Sequence, residues 1–287
     1  MGIDEHGLKF LDYVYKSGDF GKTITIGRQS IHLPIARSRV LKVSSDTESG
    51  EELLVRRFGA NLVDSIDHSP YEGANIIHDL NLVVPPQMVG QYDTIIDFGS
   101  SEHVFNVPAV FQNYVSMCKP GSRILHVLPA NNFCGHGFFQ FSPELFFSLY
   151  SEINGFSLTE VFLANLNDLK HWYLVKKPSD GTRVNVHSSS PIYVMVKTTV
   201  KRLASQLIVQ QSDYEYMWAQ RVESAPSLRS VGTLTSLFGR FPSILKIVRV
   251  FWRRFLAPLS LSLSRLRSWS LSRLSSRNAH LEKIKVT

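Results

Sequence analysis

The side chains best suited to chemistry fall in three short stretches. Glu102 and His103 follow Gly99-Ser100-Ser101, a turn small enough to bring backbone close to a ligand. A histidine there can exchange a proton near neutral pH. The second stretch, Pro129–Ser142, carries His136 between two glycines, paired amides at Asn131 and Asn132, and Gln140 among Phe138, Phe139 and Phe141. Such a mixture suits an apolar pocket with a few orienting polar groups. His136 is therefore the first candidate general base and His103 the second, with Asn131, Asn132, Phe138 and Gln140 as substrate contacts. The competing readings are a helix cap at Ser101 or Glu102 and a well-packed loop over a sheet. The third group is acidic: Asp64, Asp67 and Asp79 lie at the ends of short apolar runs. A carboxylate in such a place can accept both hydroxyls of a ribose. Asp67 is favoured over Asp64, which lies within the run, and Asp79 is placed to receive an adenine amino group or to cap a helix.

The elements that must position these residues alternate between strand and helix. Strands are expected at Lys22–Ile26, Asn61–Ile66, Asn75–Ile77, Tyr92–Phe98 and Arg123–Leu128. Two more are expected at Ser157–Leu163 and Ile192–Thr198, with His171–Lys177 strand-like between them. Helices are expected over Thr47–Phe58 and Val107–Met117, from Pro143 behind a Ser142 cap, and over Lys201–Arg221. Apolar runs bounded by polar turns read as parallel strands covered on both faces. The expectation is an α/β, doubly wound, seven-stranded mainly parallel sheet whose last two strands form an antiparallel edge. Ligands of such sheets bind at the C-terminal ends of the strands.

Charge divides the chain. Its 287 residues carry a net charge of +7, but residues 240–287 hold eleven of the 31 Lys and Arg and only one of the 24 acids, Glu282. The basicity belongs to a tail, and the body is slightly acidic. The expected organisation is a domain over 1–200, a helix and a Ser/Pro/Gly-rich linker over 201–239, and a basic tail over 240–287. Within the tail, Phe241–Leu256 places Lys246, Arg249, Arg253 and Arg254 near one face of an ideal helix, which suits an anionic membrane surface. A partner helix, disorder and, less readily, nucleic acid are the alternatives. It has no charge-free run long enough to span a bilayer.

Several chemistries lack their motifs. There is no GxSxG, no Walker A sequence, no HExxH and no paired CxxC, so a metal centre is not expected. Two cysteines, Cys118 and Cys134, read as thiols in a reducing compartment. The acidic N-terminal segment does not resemble a signal peptide, and His6 does not suit a myristoylation signal at Gly2. A cytoplasmic location is expected, peripheral at the inner face of the membrane if the tail binds there.

The segments YDTIIDFGSSEHVFN (92–106) and KPGSRILHVLP (119–129), with the order of the strand-end acids, resemble the Rossmann-like S-adenosylmethionine-dependent methyltransferases over roughly residues 20–200. The stretch through HGFFQFSPELF is similar to a bacterial, methyltransferase-like and partly carbohydrate-associated subgroup. The resemblance implies S-adenosyl-L-methionine as cofactor. It implies Asp67 as the ribose acid, Asp79 on the adenine side, and Phe98, Gly99 and Ser100 as the wall beside the methionine end. The implied substrate is a sugar or other small molecule methylated on a hydroxyl or amine. The family's first strand ends in an acid and GxGxG; here the stretch is TIGRQSI, where only Gly27 remains. Arg28 is placed to pair with the methionyl carboxylate. A non-catalytic binding protein of surface-polysaccharide assembly is the second reading.

Overall fold

A strand buried on both faces must send apolar side chains both ways, and the central strands do so. In the computed structural model, which describes residues 2–41, 43, 48–223, 274 and 278–286, Ile95 joins one hydrophobic cluster and Ile96 the other. Ile124 and Leu125 divide in the same way. The elements in chain order begin with α1 (Glu5–Tyr15), β1 (Gly21–Ile26), α2 (Ile35–Leu41), α3 (Gly50–Phe58), β2 (Ala60–Asp67) and β3 (Ile76–Ile77). Next come β4 (Tyr92–Asp97), α4 (Val107–Met117), β5 (Cys118–Asn131), α5 (Pro143–Leu149) and β6 (Phe156–Asn165). β7 (His171–Val175), β8 (Ile192–Val200), α6 (Ser212–Glu223) and β9 (Leu281–Lys285) complete the described chain.

The strand order is β3-β2-β1-β4-β5-β8-β6-β7-β9. β1 to β5 pair in parallel, and β8 runs antiparallel between β5 and β6. The first seven strands in that order form the Rossmann-like methyltransferase arrangement, with α4 and α5 packed on one face and α1 and α3 on the other. Beyond the seven expected strands, β7 and β9 extend the sheet as an antiparallel edge. Chain order reverses between β1 and β4, which opens a crevice at their C-terminal ends.

Local chemistry explains the ends of the elements. Ser49 and Glu52 form a reciprocal capping box at α3, and Gly59 closes it in the left-handed region at φ +64°. Ser142 has the backbone of an N-cap, but its hydroxyl makes no capping bond.

Three features differ from the sequence expectation. α1 is a buried helix concealed by a charged sequence. Its Glu5 bonds Arg37 and pairs with Lys9, and its His6 Nδ1 accepts a hydrogen bond from the Trp172 indole at 3.1 Å. The helix expected over Lys201–Arg221 begins only at Ser212. The sequence from Pro258 onward shows no packing signature, yet Leu281–Lys285 lies in the sheet, because β7 offers it a full set of antiparallel partners. The linker and the Phe241–Leu256 segment lie outside the described residues. No described helix is long and apolar enough to cross a membrane, and both cysteines are unpaired, Cys118 buried and Cys134 exposed.

Candidate active site

The crevice between the ends of β1, β2 and β4 holds a cleft of about 570 Å³, within the roughly 300–1,000 Å³ range of small-molecule sites. Its walls include Gly27, Arg28, Asp67, Asp79, Gly99, Ser100 and His103. The sequence reading missed His68, Tyr71, His78 and Asn81, which also line it. All four follow β2 or β3, so their position after a strand end was the available signal.

The β1 turn is tight. Gly27 sits at φ +69°, and a Cβ there would stand 2.8 Å from Ser100 Oγ and 3.8 Å from Asp67 Oδ2. The Asp67 carboxylate therefore faces this turn. Its other oxygen, Oδ1, accepts the Ser69 amide at 3.3 Å. Asp64 faces elsewhere: it receives the Tyr92 hydroxyl at 2.9 Å and the Asn75 amide at 2.8 Å. Asp79 Oδ1 accepts both the backbone and the side-chain amide of Asn81, and these bonds hold its carboxyl below the usual range. His78 contributes a buried ring nitrogen, Nε2, with no partner among the described residues.

These features test the fit of a nucleoside cofactor. A glycine whose Cβ would fill the turn, a carboxylate facing it and an orphaned ring nitrogen suit the ribose and base. The methionyl end fits less simply. The Arg28 guanidinium pairs with Glu51 at 3.3 Å and donates to the Glu72 carbonyl at 3.1 Å. It still lines the cleft, so a ligand carboxylate there would share it with Glu51 and Glu72. Gln29 turns inward, its amide nitrogen bonding the Ile26 carbonyl at 3.0 Å.

The β4 turn is held from beneath. Asp97, fully buried, accepts the amides of Ser100 at 3.0 Å and Ser101 at 3.3 Å and the Tyr114 hydroxyl at 3.1 Å. His126 Nδ1 lies 3.3 Å from the same carboxylate, and its Nε2 lies 2.6 Å from the Tyr150 hydroxyl. With Nδ1–H donating to Asp97, Nε2 accepts from Tyr150, a tautomer assigned from the network. Burial alone would raise the Asp97 carboxyl, but the bonds from His126, Ser101 and Ser100 together hold it below the ordinary range.

Above this anchor, Glu102, His103 and His136 meet. Glu102 is fully buried, and its Oε1 lies 3.2 Å from His136 Nε2 and 3.8 Å from His103 Nε2. The two imidazoles stand edge to face at 4.9 Å. His136 comes from the β5–α5 loop, which is pinned to Glu102 by backbone: Phe138 donates to the Glu102 carbonyl at 2.7 Å. Gly137 makes this approach possible, because a Cβ at its φ of +68° would meet Glu102 Cγ at 2.8 Å. Burial, then the Asp97 charge, pushes the Glu102 carboxyl up to about 8. Burial lowers both histidines, so they stay neutral at physiological pH.

The other sequence candidates lie off the cleft. Phe98 is buried beside Gly7 and Phe10, on the opposite side of the sheet from α4, so its ring forms no cofactor wall. Three amides instead hold the loop together. Asn131 Oδ1 accepts the Asn132 amide, Asn132 donates to the Ser188 and Ser190 carbonyls, and Gln140 accepts the Phe133 amide. Phe138 is exposed and contacts Phe105 edge to face.

The fold and the cleft together define a Rossmann-like α/β domain with a cleft of small-molecule size at its strand switch point. No family model and no curated protein sequence matches the chain. Among solved structures it is similar to the YcgJ protein of Bacillus subtilis, at 11% identity over 68% of this chain and 98% of that one, with a TM-score of 0.39. It is also similar to a possible histamine N-methyltransferase of Thermotoga maritima (13% identity, 68% and 89% covered, TM-score 0.37). A third is the N-methyltransferase NodS of Bradyrhizobium japonicum with S-adenosyl-L-homocysteine (11%, 69% and 87%, 0.37).

Proposed function

We propose that this chain is an S-adenosylmethionine-dependent methyltransferase acting on a hydroxyl or amine of a small molecule, sugars included. The observation that carries the reading is the Asp67 carboxylate turned toward Gly27 across the cleft at the end of β2. There it can accept two ribose hydroxyls, while Gly27, Gly99 and Ser100 let backbone approach the cofactor. Asp79 and His78 take the adenine side. S-Adenosylmethionine, when bound, supplies an electrophilic methyl group. The chain's part is alignment and proton handling. Glu102, His103 and His136 stand at the mouth of the cleft, and a neutral imidazole there can receive the proton released by the acceptor. The amides of Asn131, Asn132 and Gln140 shape the acceptor loop.

Titration with S-adenosylhomocysteine tests this reading. One site per chain at sub-millimolar affinity, weakened roughly tenfold to a hundredfold in Asp67→Ala, supports it. The second reading, a non-catalytic accessory protein, is favoured by the committed Arg28 guanidinium and the inward Gln29, and it requires no binding and no heat stabilisation by the ligand. For the tail we propose contact with an anionic membrane surface from the cytoplasmic side. Because β9 belongs to the sheet, removal of 240–273 is the appropriate deletion for liposome co-sedimentation, and unchanged binding contradicts the proposal.

A further inference from the structure

We propose that Glu102, His103 and His136 form a binding site for one divalent first-row transition-metal ion at the mouth of the cleft. Each residue offers one ligand atom, and the three lie within 4.8 Å of one another. Ligands about 2.0–2.2 Å from a common ion sit about 3–3.5 Å apart. The separations from Glu102 Oε1 to His136 Nε2 and His103 Nε2, 3.2 and 3.8 Å, are close to that spacing. Small rotations of two partly exposed rings close the difference.

A second observation points to a cation independently of the spacing. Glu102 is fully buried, and its Oε2 has no hydrogen-bond partner among the described residues. No lysine or arginine pairs with it among the described residues; its ion-pair contacts are the two imidazoles. A buried carboxylate without a cation is costly, and either a proton or a metal ion relieves it. Two imidazoles and one carboxylate suit zinc or iron more than magnesium or calcium, which prefer all-oxygen shells.

The site is built rather than accidental. Asp97 fixes the turn that carries Glu102 and His103 through two backbone amides, and Gly137 lets the His136 loop press on Glu102. His103 also lines the cleft, so the three-residue cluster borders the place where an acceptor would enter. A bound ion would lower the pKa of an acceptor oxygen and orient it. That role rests on the proposed methyl transfer, but metal uptake does not.

The test is equilibrium dialysis of the full-length chain against Zn²⁺ with elemental analysis, and Co²⁺ absorption as a reporter of the ligand set. The expected result is one ion per chain at micromolar affinity or tighter. His136→Ala and His103→Ala, both at partly exposed positions, should each weaken uptake at least about 100-fold, at the upper end of second-shell losses. Their far-UV circular dichroism should be unchanged, and His32→Ala should bind as the parent does. Absence of a stoichiometric site in the parent, or equal uptake by His136→Ala, overturns the proposal. S-Adenosylhomocysteine titration of His136→Ala separates the two readings. Lost metal with retained ligand keeps both, and bound metal with no ligand binding by the parent removes only the methyltransferase.

Discussion

Two turns bound the same cleft and are built on opposite principles. The turn after β1, Gly27-Arg28-Gln29, is held mainly through backbone and surface contacts: Gly27 donates to the Ile66 carbonyl, Gln29 bonds back to the strand it leaves, and Arg28 reaches outward to Glu51 and Glu72. The turn after β4, Gly99 to His103, is held from the core through Asp97, His126, Tyr114 and Tyr150. The first turn provides shape and the second carries charge-bearing chemistry. Loss of the glycine-rich pattern at the first therefore says little about chemistry at the second.

The contrast can be broken most forcefully at its buried anchor. Asp97→Ala removes the acceptor for two amides, a hydroxyl and an imidazole, and should cost about 3–5 kcal/mol, read by urea denaturation. Asp97→Asn keeps an acceptor and should cost less. At the first turn, Gly27→Ala places a Cβ 2.8 Å from Ser100 Oγ at positive φ. A loss of about 1–2 kcal/mol is expected, together with weakened S-adenosylhomocysteine binding. Gly137→Ala carries a similar strain at φ +68° against Glu102. It should separate His136 from Glu102 and abolish Zn²⁺ uptake while costing only about 1 kcal/mol in stability. The smallest effect is expected for Arg28→Ala. Its partly exposed pair with Glu51 contributes about 1 kcal/mol or less, and binding of S-adenosylhomocysteine should stay within about threefold because the guanidinium is already engaged. A large loss there would mean that Arg28 turns to the ligand, and would make the two turns more alike than the contrast allows.

Much of the sheet was legible because parallel strands write continuous apolar runs. Tyr92–Asp97 and the helix Val107–Met117 stand where periodicity placed them. The place of Asp67 at the cleft was legible because a strand end and an acid sit together. The helix α1 was not, because Glu5, His6 and Lys9 look like a solvated face until Arg37, Trp172 and the Leu169 carbonyl satisfy them. β9 was hidden in a basic tail, since an edge strand needs only a partner such as β7. The Glu102–His136 meeting joins residues 34 apart. No spacing motif records it, and the small signal was Gly137, whose positive φ brings the loop down. The roles read for Asn131, Asn132 and Gln140 came from composition, which does not show that an amide already has a backbone partner.

In the proposed function, Asp67 holds a nucleoside cofactor across the Gly27 turn. Calorimetric titration of the full-length chain and of Asp67→Ala with S-adenosylhomocysteine tests it most directly. One saturable site per chain at sub-millimolar affinity is predicted, weakened roughly tenfold to a hundredfold in the variant, as loss of a charged hydrogen-bond acceptor implies. No binding by the parent chain, or equal binding by both, would contradict it.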